Sequence, residues 1–308
     1  MELASPKPGW IPVLCENARQ RPLMALALGL AMFGLLLLLL PGTRQLLSGQ
    51  AAPGLRLALL GGLAGFLATA TGALPALLLR SLPQRLEDSL LGLAAGMMLA
   101  ASAFSLLLPG LEAAHAITGS KAWGAGIVVL GMSVGVLLML GLDAFTPHEH
   151  ESTGPCGAGH ERCSRVWLFV FAIALHNLPE GMAIGVSFSQ ADMAVGLPLT
   201  TAIALQDIPE GLAVALAMRS AGFPAPYAVL VAVLSGLLEP LGALIGVGLS
   251  SGAALAYPAG LGLAAGAMIF VVSHEVIPET HRNGHQTPAT LGLMAGFALM
   301  MVLDTALG

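Results

Sequence analysis

Nine stretches of this 308-residue chain are long and apolar enough to cross a bilayer, which excludes an ordinary soluble fold. They run over 22–41, 55–79, 89–111, 122–142, 166–188, 195–218, 225–250, 252–275 and 288–307. Composition agrees, with 56% hydrophobic and only 9% charged residues, where a soluble domain carries roughly a quarter charged. The first stretch, with its LLLLLL run behind a polar leader, is too long for a signal-peptide core and reads as a retained span. Cys15, Cys156 and Cys163 lie in polar segments without a CxxC pair, so a disulfide framework is not expected. With no basic patch interleaved with aromatics, nucleic acid is not an expected partner. The chain therefore reads as an all-α polytopic membrane protein.

Orientation follows from the basic residues. With the N-terminus in the cytoplasm, Lys7, Arg19, Arg21, Arg80, Arg85, Arg162, Arg165, Arg219 and Arg282 fall inside, and only Arg44, Arg56 and Lys121 outside. Nine spans then put the C-terminus in the periplasm of an inner-membrane protein. The longest cytoplasmic segment, 144–165, holds His148, Glu149, His150, Glu151, His160 and Glu161, and its glycine and proline make a mobile loop the expectation.

Two segments recur. LGLAAGMMLAASAFS (91–105) aligns with LGLAAGAMIFVVSHE (261–275), and GVLLMLGLDAF (135–145) with GFALMMVLDTA (296–306). The first pair lies five spans apart, an odd separation, so the copies cross the membrane in opposite directions. Inverted repeats of this kind mark secondary transporters.

Between the repeats stands a tighter duplication, HNLPEG (176–181) and QDIPEG (206–211), on consecutive spans. A charged side chain at the bilayer centre costs about 2.5–3.5 kcal/mol on insertion scales, so such residues usually serve function. Here the cost recurs at His176, Asn177 and Glu180, at Gln206, Asp207 and Glu210, and at Glu239 on the next span. The i, i+4 spacing stacks His176 on Glu180 and Gln206 on Glu210, with Asn177 and Asp207 about 100° further round. Antiparallel packing would set the two glutamates between two metal positions, His176 and Gln206 flanking one, Asn177, Asp207 and Glu239 the other. Pro179 and Pro209 leave the carbonyls of Leu175 and Leu205 without helical donors, and Pro240 does the same for Gly236, as a wet pocket requires. Interhelical hydrogen bonding is the plainer explanation for one such residue, but several unpaired acids with no Lys or Arg favour a cation site. Imidazole with carboxylates and no thiolate suits zinc, cadmium, iron or manganese better than Ca²⁺ or Mg²⁺. The ion is substrate, not a permanent cofactor.

Outside the cluster, Met98, Ser105, Asp88 and Asp304 are candidates for an entrance or pathway, although a core methionine is the plainer reading of Met98. Asp143, His148, His150, His274 and Glu275 are candidates for a cytoplasmic exit, joined by Glu279, His281 and His285. An intramembrane metalloenzyme is disfavoured, since His274-Glu275 is followed by Val276, Ile277 and Pro278 with no second histidine to complete HExxH. A metal-selective channel is the closer alternative to a carrier, and the repeat favours the carrier.

HNLPEG and QDIPEG, with LGLAAGMMLAASAFSLLLPG, FTPHEHE and VVSHEVIPETHRNGH, resemble the ZIP (Zrt/Irt-like) metal transporter family, in its bacterial GufA-like subfamily. The resemblance implies an eight-helix core with inverted repeats plus one extra N-terminal transmembrane helix. The divisions are then 1–54, 55–143 (first repeat), 144–165 (cytoplasmic loop), 166–218 (metal-binding helix pair) and 225–308 (second repeat). It further implies a binuclear site, one ion at His176, Glu180, Gln206 and Glu210 near Met98, the other at Asn177, Glu180, Asp207, Glu210 and Glu239. Zinc, often cadmium or iron, would enter the cytoplasm by an elevator-type shift, and the family is commonly dimeric.

Overall fold

A computed structural model describes residues 18–145, 148–150, 154–156, 165–251 and 253–307. The helices are α1 (Pro22–Leu47), α2 (Pro53–Ala73), α3 (Gln84–Ala101), α4 (Leu108–Thr118), α5 (Lys121–Phe145), α6 (Arg165–Phe188), α7 (Met193–Ser220), α8 (Ala225–Gly236), α9 (Leu238–Leu249), α10 (Ala256–Val271), α11 (Ile277–His281) and α12 (Gln286–Leu307). Among the described residues eight helical segments are long and apolar enough to cross a membrane. The helix carrying HNLPEG, α6, adds 24 residues beside them. The protein is an all-α polytopic membrane protein. On α1, Leu26, Leu30, Phe33 and Leu37 form an exposed stripe at helical spacing, a surface that water would penalise and lipid accepts.

Lipid supplies no hydrophobic drive between helices, so small residues that let backbones touch decide the pairing. On α3 a Cβ at Gly92 or Gly96 would lie 2.2 or 1.9 Å from the carbonyl oxygens of Ala289 and Leu293 on α12. Gly292 and Gly296 return the relation, 2.2 and 2.0 Å from the carbonyl oxygens of Ser89 and Leu93. The same four-residue spacing joins Gly131 and Gly135 of α5 to Gly262 and Gly266 of α10, and Gly181 and Gly185 of α6 to Gly242 and Gly246 of α9. Two helix groups result, α2, α6, α7 and α9 around the motifs, and the pairs α3/α12 and α5/α10. The extra helix α1 rests on α9, where a Cβ at Gly248 would lie 2.4 Å from the Leu38 carbonyl oxygen.

Several spans depart from a plain rod. The third runs on to Thr118 through a π-helical segment, Ser102–Leu107, and ends at Gly119, whose φ of 67° places it in the left-handed cap that glycine favours. A second π segment, Val272–Val276, joins α10 to α11. The seventh span breaks at Leu237, so that Pro240 falls in the first turn of α9, where a missing N–H costs nothing. Pro179 and Pro209 stay inside α6 and α7. The segment expected as a loop contains a short antiparallel hairpin, β1 (His148–His150) with β2 (Gly154–Cys156), His148 opposite Cys156. Glu151, His160, Glu161, Cys15 and Cys163 lie outside the described residues.

Candidate metal centre

α6 and α7 are joined by a turn in which Ala191 takes φ 58° and Asp192 caps α7, accepting from the Ala194 N–H at 2.9 Å. So tight a connection makes the two helices antiparallel neighbours and brings HNLPEG against QDIPEG. The break at Leu237 starts α9 at the same level, with Glu239 in its first turn. All seven cluster residues are buried, none more than 2% exposed.

One carboxylate oxygen each from Glu180, Asp207 and Glu210 lies within 4.8 Å of the others, a spacing that one cation can span. The Gln206 amide N–H donates to Glu180 Oε1. Thr69 Oγ1 on α2 donates to Glu239 Oε1 at 2.8 Å. Eight other buried atoms of the cluster have no hydrogen-bond partner: His176 Nδ1, Asn177 Nδ2, Glu180 Oε2, Gln206 Oε1, Asp207 Oδ2, both oxygens of Glu210, and Glu239 Oε2. Among the described residues no Lys or Arg pairs with any of these carboxyls. Buried polar groups are almost always satisfied, so a convergent set left open needs a partner from outside the chain. Carboxylate, imidazole and amide oxygen together form a borderline-to-hard donor set suited to divalent transition metals.

His176 is drawn partly away from this set, its Nε2 lying 3.2 Å from Glu275 Oε2 in the second π segment. That contact links α6 to the other helix group, which the sequence pattern did not indicate. Met98 is fully buried within the apolar core that also contains Ile203 and Met268. Ser105 Oγ donates to Asp304 Oδ1 at 2.6 Å, and His274 Nε2 lies 3.5 Å from Asp143 Oδ2. Asp88 is buried beneath three donors, Gln84 Nε2 at 3.2 Å, Asn283 Nδ2 at 3.1 Å and His285 Nδ1 at 2.8 Å. Glu279 holds Arg282 at 3.3 Å, and His281 Nδ1 lies 2.8 Å from the Ile277 carbonyl oxygen. His148 and His150 contribute backbone to β1.

Sequence reasoning passed over Thr69, although a hydroxyl inside an apolar span was a signal. It also passed over Asn283, which carries no such mark.

Comparison with known proteins gives a consistent result. Residues 147–304 match the family model described as ZIP Zinc transporter. The chain is 66% identical to the zinc transporter ZIPB of Bordetella bronchiseptica, over 95% of this chain and 94% of that protein. It is 42% identical to the zinc transporter GufA of Myxococcus xanthus, over 78% of this chain and 95% of the relative. The human zinc transporter ZIP11 is 29% identical, over 78% of this chain and 94% of its own.

Proposed function

The chain belongs to the ZIP zinc transporter family, and from that premise we propose that it carries divalent transition-metal cations from periplasm to cytoplasm. Zinc is the foremost substrate, since the relatives are named for it, and cadmium, iron and manganese suit the same donors. The protein sits in the bacterial inner membrane, N-terminus in the cytoplasm and C-terminus in the periplasm, in accord with the basic-residue bias. The observation that carries the reading is the set of buried carboxylate, amide and imidazole atoms left without partners around Glu180, Asp207 and Glu210.

Two ions share the cluster, Glu180 and Glu210 between them, His176 and Gln206 toward one, Asn177, Asp207 and Glu239 toward the other. Met98, Ser105, Asp88 and Asp304 stand along the entrance or pathway, Asp88 and the Ser105–Asp304 pair as its hydrogen-bonded framework and not as ligands, while Asp143, His148, His150, His274 and Glu275 serve the cytoplasmic exit. A carrier fits better than a pore, because the cluster is closed to solvent and a pore would need a continuous wet path. In an elevator-type cycle α2, α6, α7 and α9 move as one body against the α3/α12 and α5/α10 pairs. The glycine seams support this, being tight within the α2, α6, α7 and α9 set and within each of the two pairs. The inverted repeat draws support from the bulges. Each π segment begins eleven residues after the start of an LGLAAG copy, 102 from 91 and 272 from 261.

Uptake of radioactive zinc into proteoliposomes tests the reading. His176→Ala and Glu210→Ala should each greatly reduce uptake while the protein still inserts and purifies, and saturation with steep temperature dependence should accompany wild-type flux. Undiminished zinc and cadmium flux in the double variant would refute it.

A further inference from the structure

The cluster has a wall that neither motif supplies. α2 passes behind it, and two residues one turn apart, Gly65 and Thr69, face the carboxyls. A Cβ at Gly65 would lie 1.7 Å from Glu239 Oε2, 3.0 Å from Asp207 Oδ2 and 3.0 Å from Glu239 Cδ. Other glycines of α2 face different neighbours. At Gly72 a Cβ would meet the Ile208 backbone, and at Gly62 the nearest atom is Pro240 Cα. Those positions serve helix packing. Gly65 instead leaves a hollow filled by the tips of two acids.

Thr69 completes the arrangement. Its hydroxyl donates to Glu239 Oε1 at 2.8 Å, leaving Oε2 of the same fully buried carboxyl without a partner. Thr69 is itself confined, for a Cβ at Gly211 would lie 2.2 Å from its carbonyl oxygen and one at Gly236 would lie 3.1 Å from its own Cβ. One oxygen of Glu239 is thus tethered by a neutral donor, which fixes the carboxyl without bringing a countercharge beside it. The other is aimed, with Asp207 Oδ2, into the space beside Gly65.

We infer that Gly65 and Thr69 are positioning residues for the second ion, the one toward Asn177, Asp207 and Glu239. The inference rests on the two-ion reading proposed above. Gly65 makes room for the two acids to present oxygens together, and Thr69 selects the Glu239 orientation that does so. Neither residue touches the ion. Supporting side chains of this kind commonly control metal affinity.

The test is equilibrium dialysis of the purified, chelator-stripped full chain against cadmium chloride, and separately zinc chloride, with bound metal measured by mass spectrometry. Wild type should bind two ions per chain. Gly65→Ala should bind one with its affinity kept, because the methyl displaces the flexible end of Glu239 and no backbone. Thr69→Val should keep both ions but weaken the second roughly tenfold, the scale of one hydrogen bond to a charged group, and Thr69→Ser should restore it. Two ions at wild-type affinities in both Gly65→Ala and Thr69→Val would overturn the proposal and leave the two-ion reading standing. A single ion in wild type would overturn both. If Gly65→Ala fails to fold, the threonine series decides alone, since valine matches threonine in shape and differs in the hydroxyl.

Discussion

Asp88 and Glu210 are both acids on transmembrane helices, 1% and 2% exposed, yet their surroundings differ completely. Asp88, in the α3/α12 group, receives Gln84, Asn283 and His285. Glu210, in the motif group, has no donor on either oxygen. Ser102 and Ser105 follow the Asp88 pattern, donating to the Met98 carbonyl and to Asp304. Burial alone therefore says little about role. A buried acid whose lone pairs are filled by the chain is accounted for by the architecture, and one whose lone pairs stay open has room for a partner from outside it.

The largest effect should come from Glu210→Gln. Zinc uptake into proteoliposomes should fall by roughly a hundredfold or more, at or beyond the upper end of what loss of a supporting residue of a metal site costs. The metal-free variant should also unfold at a higher temperature than wild type, because an uncompensated buried carboxyl is removed, a gain of about 1 kcal/mol or more. Lower stability together with lost uptake would mean that Glu210 is structural like Asp88, and the contrast would fail.

Metal should supply the missing partner. Zinc at about a hundred times its Kd should stabilise the wild type by about 2.7 kcal/mol, read as a higher melting temperature in detergent. In Glu210→Gln that shift should shrink markedly. An equal shift in both proteins would place the stabilising ion elsewhere.

Asp88→Asn should behave in the opposite sense to Glu210→Gln. Losing the carboxylate beneath His285 and Asn283 should cost about 2 kcal/mol of stability, within the range for hydrogen bonds to charged groups. Uptake corrected for folded protein should stay within about threefold of wild type, a loss below 1 kcal/mol. A selective collapse of uptake with unchanged melting would assign Asp88 to the ion path itself.

The smallest effect concerns the contact between the groups. Glu275→Gln weakens the link from His176 across to the second π segment and should change the zinc turnover rate severalfold, about 1 kcal/mol. The number of ions bound at equilibrium should not change. A loss of one bound ion would make Glu275 a ligand instead of a latch.

Much of this was legible without coordinates. Whether a side chain is expensive in hydrocarbon depends on the side chain and its depth, and both can be counted along the chain. Hence the spans, the two PEG motifs and Glu239 stood out, and i, i+4 spacing placed His176 beneath Glu180. The hairpin in 148–156 and the break at Leu237 were less legible, since short-range backbone choices there compete on nearly equal terms.

What the linear order determined, then, is which residues lipid would not tolerate without a reason, and which helical faces they share. Tertiary packing alone decided which of them the chain satisfies for itself. Asn283 and His285 reach Asp88 across 195 and 197 residues, and Thr69 reaches Glu239 across 170. Such partners are fixed by which glycine faces let two backbones close together, a property of pairs of helices that no single segment carries.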